Sequence, residues 1–320
     1  MTPRLRGYNL PAMEKTTFGK TGFKVSRLGF GAGPIGFLAT DQQRVANIIN
    51  ILLDSGVNVI DTAASYQGSE DLIGNAVSSR RSEYVLISKC GQAFPDLPGA
   101  AWSAEVITAT VDRALRRLKT DHLDVMLLHS CELATLKKGE AIAALAKARD
   151  AGKIRFAGYS GDNDAGAYAA AHPDIAVVET SVNLADQMNL DTVLPAALKN
   201  NIGIIAKRPI ANAAWKDESD QPGFYGKYAS EYHGRLKQMK LNPADLGTTG
   251  SPDQAWPELA LRFTLSHPGV HTAIIGTTNP ANAQANIAAA NKGPLPPAMV
   301  KRIRDAFHQA DPRRQWTGQQ

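Results

Sequence analysis

Four polar side chains of complementary chemistry stand at the ends of short apolar runs. Asp61 follows VNVI, Lys89 ends YVLISK and His129 follows DVMLL, while Tyr66 lies in the segment DTAASYQGSE. A phenol, with an ordinary pKa of about 10, holds its proton tightly unless a neighbouring ammonium stabilises the phenolate. A carboxylate can keep that ammonium charged, and an imidazole can orient a carbonyl oxygen. These residue types therefore suit proton donation to a carbonyl oxygen while a hydride reaches the carbonyl carbon.

Each of the four residues also has a purely structural explanation. Asp61 can cap a loop, Lys89 can pair with it in the core, Tyr66 can lie on a rim, and His129 can follow a strand with its hydrogen bonds satisfied. Lys89 has a second catalytic interpretation, as the nucleophile of a Schiff-base lyase or aldolase. That chemistry needs a lowered amine pKa, whereas a partner carboxylate raises it. The joint placement of the four residues favours the proton-donating set.

Alternating strand and helix patterns position these residues. The predicted strands cover residues 27 to 31, 57 to 60, 84 to 89, 122 to 128, 153 to 159, 175 to 179, 202 to 207 and 271 to 276. The predicted helices cover residues 41 to 55, 69 to 79, 103 to 119, 137 to 151, 164 to 171, 191 to 200, 255 to 266 and 280 to 290, with Ser69 and Ser103 as N-caps. Eight such pairs predict an α/β fold, the (β/α)8 TIM barrel, whose strands meet at one mouth. GFGAGPIG lacks the helix and acidic residue of a Rossmann fingerprint.

Several segments lie outside this repeat. Residues 1 to 15 are predicted to be a loose N-terminal extension, and residues 16 to 320 a single barrel domain that opens with a β-hairpin over residues 16 to 26. A long insertion, residues 208 to 254, follows strand seven, and a last helix is predicted in PPAMVKRIRDAFHQA. Aromatic and apolar loop residues are candidates for the substrate mouth: Phe30, Pro34, Phe37, Phe94, Trp102, Trp215, Phe224, Tyr225 and Tyr228. The four in the insertion can equally fasten that loop to the barrel.

Composition narrows the function classes. The 35 Lys and Arg against 30 Asp and Glu give a net charge of +5, but the basic residues are scattered, so we expect no nucleic-acid partner. No apolar run is long enough to span a membrane, and the two cysteines form no disulfide framework, which favours a cytoplasmic protein. HxxE-type and paired-Cys patterns are absent, so we expect no metal site. Nothing indicates the oligomeric state.

The segment GVNVIDTAASYQGSEDLIG resembles the signature of the aldo-keto reductases, and TFGKTGFKVSRLGFG is similar to that family's hairpin and first strand. The resemblance runs from Thr16 to about Asn291. It implies reduction of a small aldehyde or ketone by hydride transfer from NAD(P)H. Tyr66 would be the general acid, Lys89 would tune it, Asp61 would support Lys89, and His129 would direct the substrate carbonyl.

The resemblance also implies cofactor-binding residues. The residues expected at the nicotinamide end are Ser160, Glu179, Asn183 and Lys207. Three positions depart from the family pattern: Glu179 replaces the usual Gln, Lys207 replaces a Tyr that often stacks on the nicotinamide, and Gly161 replaces the Asn that usually follows the serine. A mutual salt bridge between Glu179 and Lys207 is an equal alternative. AIIGTTNPANAQANIAAA resembles the motif for the adenosine end, in which a helix N-terminus suits a phosphate. Its candidates are Gly276, Thr277, Thr278, Gln284 and Asn286.

Two further questions stay open. Thr278 replaces the basic residue that often grips the 2'-phosphate, so NADP(H) is favoured on family habit and NAD(H) is possible. The departures at the nicotinamide end leave room for a dinucleotide-binding, redox-sensing regulatory barrel with vestigial catalysis.

Overall fold

Eight parallel strands form a closed barrel in the computed structural model, which describes residues 13–221, 225–248 and 251–319. An antiparallel hairpin of β1 (Lys15–Thr17) and β2 (Lys24–Ser26) precedes the barrel. The barrel strands are β3 (Leu28–Gly31), β4 (Val59–Asp61), β5 (Val85–Cys90), β6 (Leu123–His129), β7 (Ile154–Ser160), β8 (Val177–Ser181), β9 (Gly203–Lys207) and β10 (Thr272–Ile275). Each pairs with the next in parallel and β10 pairs with β3, so the predicted (β/α)8 fold class is confirmed.

Helices connect the strands around the outside of the barrel. They are α1 (Gly33–Phe37), α2 (Gln42–Asp54), α3 (Ser69–Val77), α4 (Ala104–Leu118), α5 (Leu133–Lys138), α6 (Glu140–Asp150), α7 (Asn163–Ala171), α8 (Met188–Lys199), α9 (Tyr225–Met239), α10 (Pro252–Leu265), α11 (Pro280–Asn291) and α12 (Pro297–Ala310). Within the described part of the chain, none of them has the length and apolar character to cross a membrane.

The strand residues alternate between the barrel interior and the helix layer, as the two-residue period of a strand requires. The interior cluster includes Val59, Val85, Ile87, Val125, Leu127, Val177, Ile205 and Ile274, together with Phe18 of the hairpin region. Residues of the opposite phase, among them Leu86, Met126 and Ile204, pack against the helices. The amide of Lys20 donates to Asn201 O at 2.6 Å, so the hairpin segment lies against the start of β9. The interior therefore opens toward the carboxyl ends of the strands.

Three local predictions need correction. The predicted helix 137 to 151 is two helices, α5 and α6, because Gly139 between them has φ 78°. Ser69 is the first helical residue rather than the N-cap of α3, a position that Gly68 takes with φ 68°, whereas Ser103 caps α4 as predicted. The long insertion contains a helix, α9, that the sequence did not predict.

Of the predicted N-terminal extension, residues 1 to 15, the structure describes residues 13–15. Residues 1–12 lie outside the described residues, Met13 is buried, and the hairpin begins at Lys15. The division into an extension and a single barrel domain stays a prediction.

Candidate active site

Five ionisable side chains continue the inner face of the barrel at its open end. Each lies two residues beyond an apolar interior residue on its strand, so the alternation that buries the apolar residue also turns the polar one inward. They are Asp61 on β4, Lys89 on β5, His129 on β6, Glu179 on β8 and Lys207 on β9. The structure thus brings three of the four predicted catalytic residues and two predicted cofactor residues into one layer.

Lys89 is the centre of this layer. Its ammonium lies 2.5 Å from Asp61 Oδ1 and 3.3 Å from Glu179 Oε2, and it also donates to Thr62 O at 3.1 Å. Its side chain is fully buried. Burial opposes the charged form, but the attraction of the two carboxylates prevails and raises the pKa of Lys89. The lysine is therefore a persistent cation.

Tyr66 lies beside this cation at the mouth. Lys89 Nζ is 5.2 Å from the centroid of the Tyr66 ring, and the ring meets His129 edge to face at 5.8 Å. The loop that carries Tyr66 rests on α1, since a Cβ atom added to Gly36 would come within 2.9 Å of Gln67 O. Glycine at position 36 is what allows this close approach.

The charges around Tyr66 decide how firmly it holds its proton. Burial raises the pKa of Tyr66 to about 12, and Lys89 opposes that rise while Asp61 and Glu179 add to it. The assistance expected from Lys89 is thus partly cancelled by its own carboxylate partners. The phenol stays protonated at neutral pH, which is the form a proton donor needs.

His129 is an uncharged hydrogen-bonding group. Burial, with the positive charges of Lys89 and Lys207, holds its pKa well below the ordinary value of 6.5. Ser65 Oγ lies 3.3 Å from Nδ1. If the serine donates this hydrogen bond, the proton of the neutral ring is on Nε2, where it can be given to a carbonyl oxygen.

At the predicted nicotinamide end, Ser160 Oγ donates to Glu179 Oε1 at 3.2 Å. The residue after Ser160 is a glycine, Gly161, because the Tyr159 side chain occupies the space that a larger residue would need. A Cβ atom at position 161 would lie 2.2 Å from the Tyr159 hydroxyl. That hydroxyl donates to Cys131 O at 2.8 Å and is fully buried. The departure from the usual Asn therefore has a steric cause.

Lys207 and Glu179 do not pair with each other as the alternative proposed. Lys207 Nζ lies 3.4 Å from Asp162 Oδ2, while Glu179 faces Lys89. Burial lowers the pKa of Lys207 in spite of Asp162. Asn183 is fully buried; its side-chain oxygen accepts from the amide of Ala185, and its side-chain NH2 group has no hydrogen-bond partner.

The residues of the predicted adenosine end lie where β10 leads into α11, and Thr277 among them is buried. A Cβ atom at Gly276 would lie 2.4 Å from Gly31 O, so this glycine has a packing reason. Thr277 Oγ1 accepts from the amide of Asn279 at 3.0 Å. Gln284 is exposed and Asn286 is half-buried on α11.

The helix N-terminus at this end differs from the expectation of free N–H groups. Pro280 has no N–H, the amide of Ala281 is capped by the Asn279 side chain, and the amides of Asn282 and Ala283 donate to Asn279 O. The helix dipole remains, but these first donors are already used.

Thr278 instead lines an open cleft of about 680 Å³ between the N-terminal ends of α2 and α11. The lining residues are Asp41, Gln43, Arg44, Asn47, Thr278, Asn279 and Pro280. Arg44 supplies a guanidinium here, exposed and 3.5 Å from Asp41. The motif at the adenosine end did not indicate Arg44, because this arginine lies more than two hundred residues away in the chain. The closure of the barrel through β10 and β3 brings the two segments together.

Comparison with known proteins agrees with this geometry. The sequence model of the Aldo/keto reductase family matches residues 27–307. The chain belongs to the aldo/keto reductase family. Among curated relatives, L-galactose dehydrogenase of Arabidopsis thaliana is 27% identical over 293 residues, covering 87% of this chain and 88% of the plant protein.

Two further relatives are informative. A probable voltage-gated potassium channel subunit beta of Arabidopsis thaliana is 26% identical over 331 residues, covering 94% of this chain and 98% of that protein. The solved holo form of an aldo-keto reductase from Bacillus halodurans gives a TM-score of 0.76 at 26% identity, covering 92% of this chain and 96% of that chain. The predicted family resemblance is confirmed.

The aromatic residues divide between the mouth of this aldo/keto reductase and its packing. Phe37 meets the Tyr66 ring edge to face at 5.2 Å, and Tyr66 contributes to the raised pKa of Tyr225, so the start of α9 lies near the mouth. Trp215 stacks on Trp256 of α10 at 5.7 Å and so fastens the insertion to the barrel. Phe224 lies outside the described residues.

Of the other candidates for the substrate mouth, Phe30 and Phe94 pack elsewhere. Phe30 is buried in the helix-facing core, and Phe94 packs under the Arg113 guanidinium at 4.3 Å. Trp102 closes the loop after β5: its amide donates to Gly91 O at 2.6 Å, and its own φ is 68°. A positive φ is unusual for so large a residue.

Arg208 and the chain's last described residues complete the rim of this aldo/keto reductase, and no sequence pattern indicated them. The Arg208 guanidinium donates to Gln319 O and to the Tyr228 hydroxyl on α9. Gly318 exchanges two hydrogen bonds with the Asn163 side chain, at 2.7 and 3.0 Å. The tail segment 316–319 is therefore bound to the ends of β7 and β9.

Proposed function

We propose that this aldo/keto reductase reduces an aldehyde or ketone to an alcohol with NAD(P)H, using Tyr66 as the general acid. The observation that carries the proposal is the contact of the neutral Tyr66 phenol with the buried cation Lys89 at the open end of the barrel. The reduced nicotinamide supplies a hydride to the carbonyl carbon. The residues of the chain supply the proton and the electrostatic environment.

Tyr66 donates its hydroxyl proton to the carbonyl oxygen as negative charge develops there. The phenolate that remains is stabilised by Lys89, which the carboxylates of Asp61 and Glu179 keep protonated. His129, neutral and with its Nδ1 near Ser65, orients the carbonyl oxygen through Nε2–H. The aromatic rings of Phe37 and Tyr66 give the carbonyl group an apolar approach.

The residues at the nicotinamide end fit a carboxamide group. Asn183 carries a buried NH2 donor without a partner, which a carboxamide oxygen would satisfy. Glu179 Oε1 accepts one hydrogen bond from Ser160 and has a second lone pair that can accept from an amide. Ser160 positions Glu179 through its hydroxyl. Lys207, paired with Asp162, offers its hydrocarbon stem rather than an aromatic ring.

At the adenosine end, Arg44 and Thr278 share the cleft between α2 and α11, so Arg44 is the residue that would bind a 2'-phosphate and favour NADP(H) over NAD(H). Arg44→Ala is expected to weaken NADPH binding about tenfold, about 1.4 kcal/mol, and to leave NADH binding unchanged. Arg116→Ala, an exposed arginine on α4, is the matched control. Equal effects on both cofactors, measured by nicotinamide fluorescence, would refute the role of Arg44.

The catalytic proposal is tested by binding followed by turnover. Wild-type protein is titrated with NADPH and NADH by fluorescence, and loss of nicotinamide absorbance is then followed with a panel of simple aldehydes. Tyr66→Phe is expected to bind cofactor normally and to lose about 10²- to 10⁴-fold in turnover. Tyr168→Phe, on α7, is the control and should keep full activity. Full activity of Tyr66→Phe would exclude Tyr66 as the acid.

The alternatives make different predictions. A Schiff-base lyase needs an uncharged Lys89, but its two carboxylate partners raise the pKa of this lysine. Borohydride in the presence of a carbonyl substrate should therefore leave the protein unlabelled. Tight cofactor binding with no turnover on any aldehyde or ketone would instead favour a regulatory barrel.

A further inference from the structure

Two carboxyl groups share a single cation in the buried layer of the barrel. Asp61 approaches Lys89 Nζ with Oδ1 at 2.5 Å, and Glu179 approaches the same nitrogen with Oε2 at 3.3 Å. The exposed fractions of the two carboxyl side chains are 1% and 3%. If both are ionised, this group of three carries one uncompensated negative charge away from water, an arrangement that is strongly unfavourable.

Each carboxyl group of the pair has one oxygen that makes no hydrogen bond. Asp61 Oδ2 and Glu179 Oε2 are buried and make no hydrogen bond, and the contact of Glu179 Oε2 with Lys89 is an ion pair at 3.3 Å. The second oxygen of each carboxyl is already used: Asp61 Oδ1 accepts from Lys89, and Glu179 Oε1 accepts from Ser160. The side chains of Asp61 and Glu179 are within hydrogen-bonding reach of each other, so one proton held between them would satisfy the pair and remove the excess charge.

We infer that Asp61 and Glu179 share one proton at neutral pH, as an acid–carboxylate pair bound to Lys89, and that Glu179 thereby acts as a positioning residue for Tyr66. The proton is on one carboxyl, which donates to the other, so the three groups together are electrically neutral. Burial first, and the nearby Glu179 second, raise the pKa of Asp61 well above its ordinary value, in agreement with this arrangement. Where Gln is usual at position 179, no second carboxyl is available to share a proton.

Other titratable groups surround the pair and bear on its ionisation. They are Tyr66 after β4, His129 on β6, Asp162 after β7, Lys207 on β9, Arg208 after β9 and Tyr228 on α9. His129 and Tyr66 are neutral, and Asp162 offsets Lys207 through their ion pair. Arg208 is engaged with the tail and with Tyr228. The charge on Lys89 is thus left for the carboxyl pair and Tyr66.

The consequence for Tyr66 depends on the proposed function. With the shared proton present, Lys89 faces one net negative charge and can stabilise a Tyr66 phenolate. When the pair loses its proton at higher pH, a second negative charge lies beside Tyr66 and disfavours the phenolate, so turnover should fall. Glu179→Gln removes this additional ionisation and is expected to move the alkaline decline of kcat upward by about one pH unit.

The proton itself can be detected without any activity. Infrared difference spectra of the cofactor-free protein at about pH 8 report the C=O stretch of a protonated carboxyl, and that band is expected in wild type and lost in both Glu179→Gln and Asp61→Asn. Asp186, whose pKa burial raises to about 7, is mostly ionised at this pH, and Asp186→Asn serves as the control that should leave the band in place.

A band that survives in Glu179→Gln, or that vanishes only in the control, would overturn the shared proton. If the band behaves as expected but the decline of kcat does not move, the role of Glu179 toward Tyr66 is refuted while the proton pair stands. A protein with the expected band and no turnover at any pH would refute the proposed function alone.

Discussion

Replacing Lys89 with methionine removes the cation that lies between Asp61 and Glu179 while keeping a side chain of similar length. The two carboxyl groups, at 2.5 and 3.3 Å from the lost nitrogen, would remain buried without a positive partner. Breaking a buried ion pair by removing one partner typically costs about 3–5 kcal/mol, because it leaves an uncompensated charge. We therefore expect Lys89→Met to lower the free energy of unfolding by about 3–5 kcal/mol at about pH 8.

The loss should depend on pH with a definite sign. Without Lys89, burial raises the carboxyl pKa values in the folded state above their unfolded values of about 3.9 and 4.3. A group with a raised folded pKa contributes stability that is complete below the unfolded pKa and is lost as pH rises through the folded pKa. The difference between wild type and variant should consequently be small at about pH 4 and reach its full size at about pH 8.

The assay is urea unfolding of wild type and variant at several pH values, with Lys147→Met, an exposed lysine on α6, as the control. The double variant Lys89→Met with Glu179→Gln should recover part of the loss, since it leaves one buried carboxyl instead of two. A loss below about 1 kcal/mol, or one that is the same at every pH, would show that the buried charges are not what makes Lys89 necessary.

Two further predictions concern the rest of the site. Gly36→Ala should lower kcat about 10- to 100-fold with little change in cofactor affinity, because its Cβ would press on Gln67 O at 2.9 Å and displace Tyr66. Gly234→Ala on α9, where no atom lies within 4 Å of the added Cβ, should have no effect. Equal activity of the two variants would contradict the argument. The His129 ring should show the NMR shifts of a neutral imidazole at about pH 6.5, where an ordinary histidine is half protonated, since burial holds its pKa well below that value. The unfolded chain protonates this histidine first, so its contribution to stability declines as pH falls below about 6.5 and is lost as pH falls through the folded pKa; a titration near pH 6.5 would contradict this environment.

The barrel could be predicted from sequence because its strands are buried on both faces and read as short continuous apolar runs. The predicted strand over 122 to 128, for example, is β6 at Leu123–His129. Helix α9 was missed because its sequence, YGKYASEYHGRLKQM, carries two glycines, which disfavour a helix, although Ala229, Tyr232, Leu236 and Met239 form a buried face at helical spacing. The break between α5 and α6 comes from the left-handed backbone conformation of Gly139, and the spacing of apolar residues does not predict it.

The site could be predicted only as far as it lies on strands. Lys89 ends a predicted strand, Asp61 and His129 directly follow theirs, and the period of two fixes the face on which each lies. The same period turns both Glu179 and Lys207 inward, and what separates them is the register of β8 and β9, which sets Glu179 opposite Ile205 and Lys207 opposite Ser181. Arg208 adopts φ 56° just past a strand end, and Arg44 reaches its cleft from a distant helix, so no local pattern could assign either one.

The packing of Tyr159 against Gly161 has a consequence for how this site can change. The usual Asn at position 161 would collide with a buried hydroxyl at 2.2 Å, so introducing Asn first gives a strained protein. Replacing Tyr159 first removes its hydrogen bond to Cys131 O and leaves a cavity beneath the rim. Each single step is therefore worse than either end point, and the more common arrangement can be reached only by changing both positions together. The departure from the family pattern is in this sense self-maintaining.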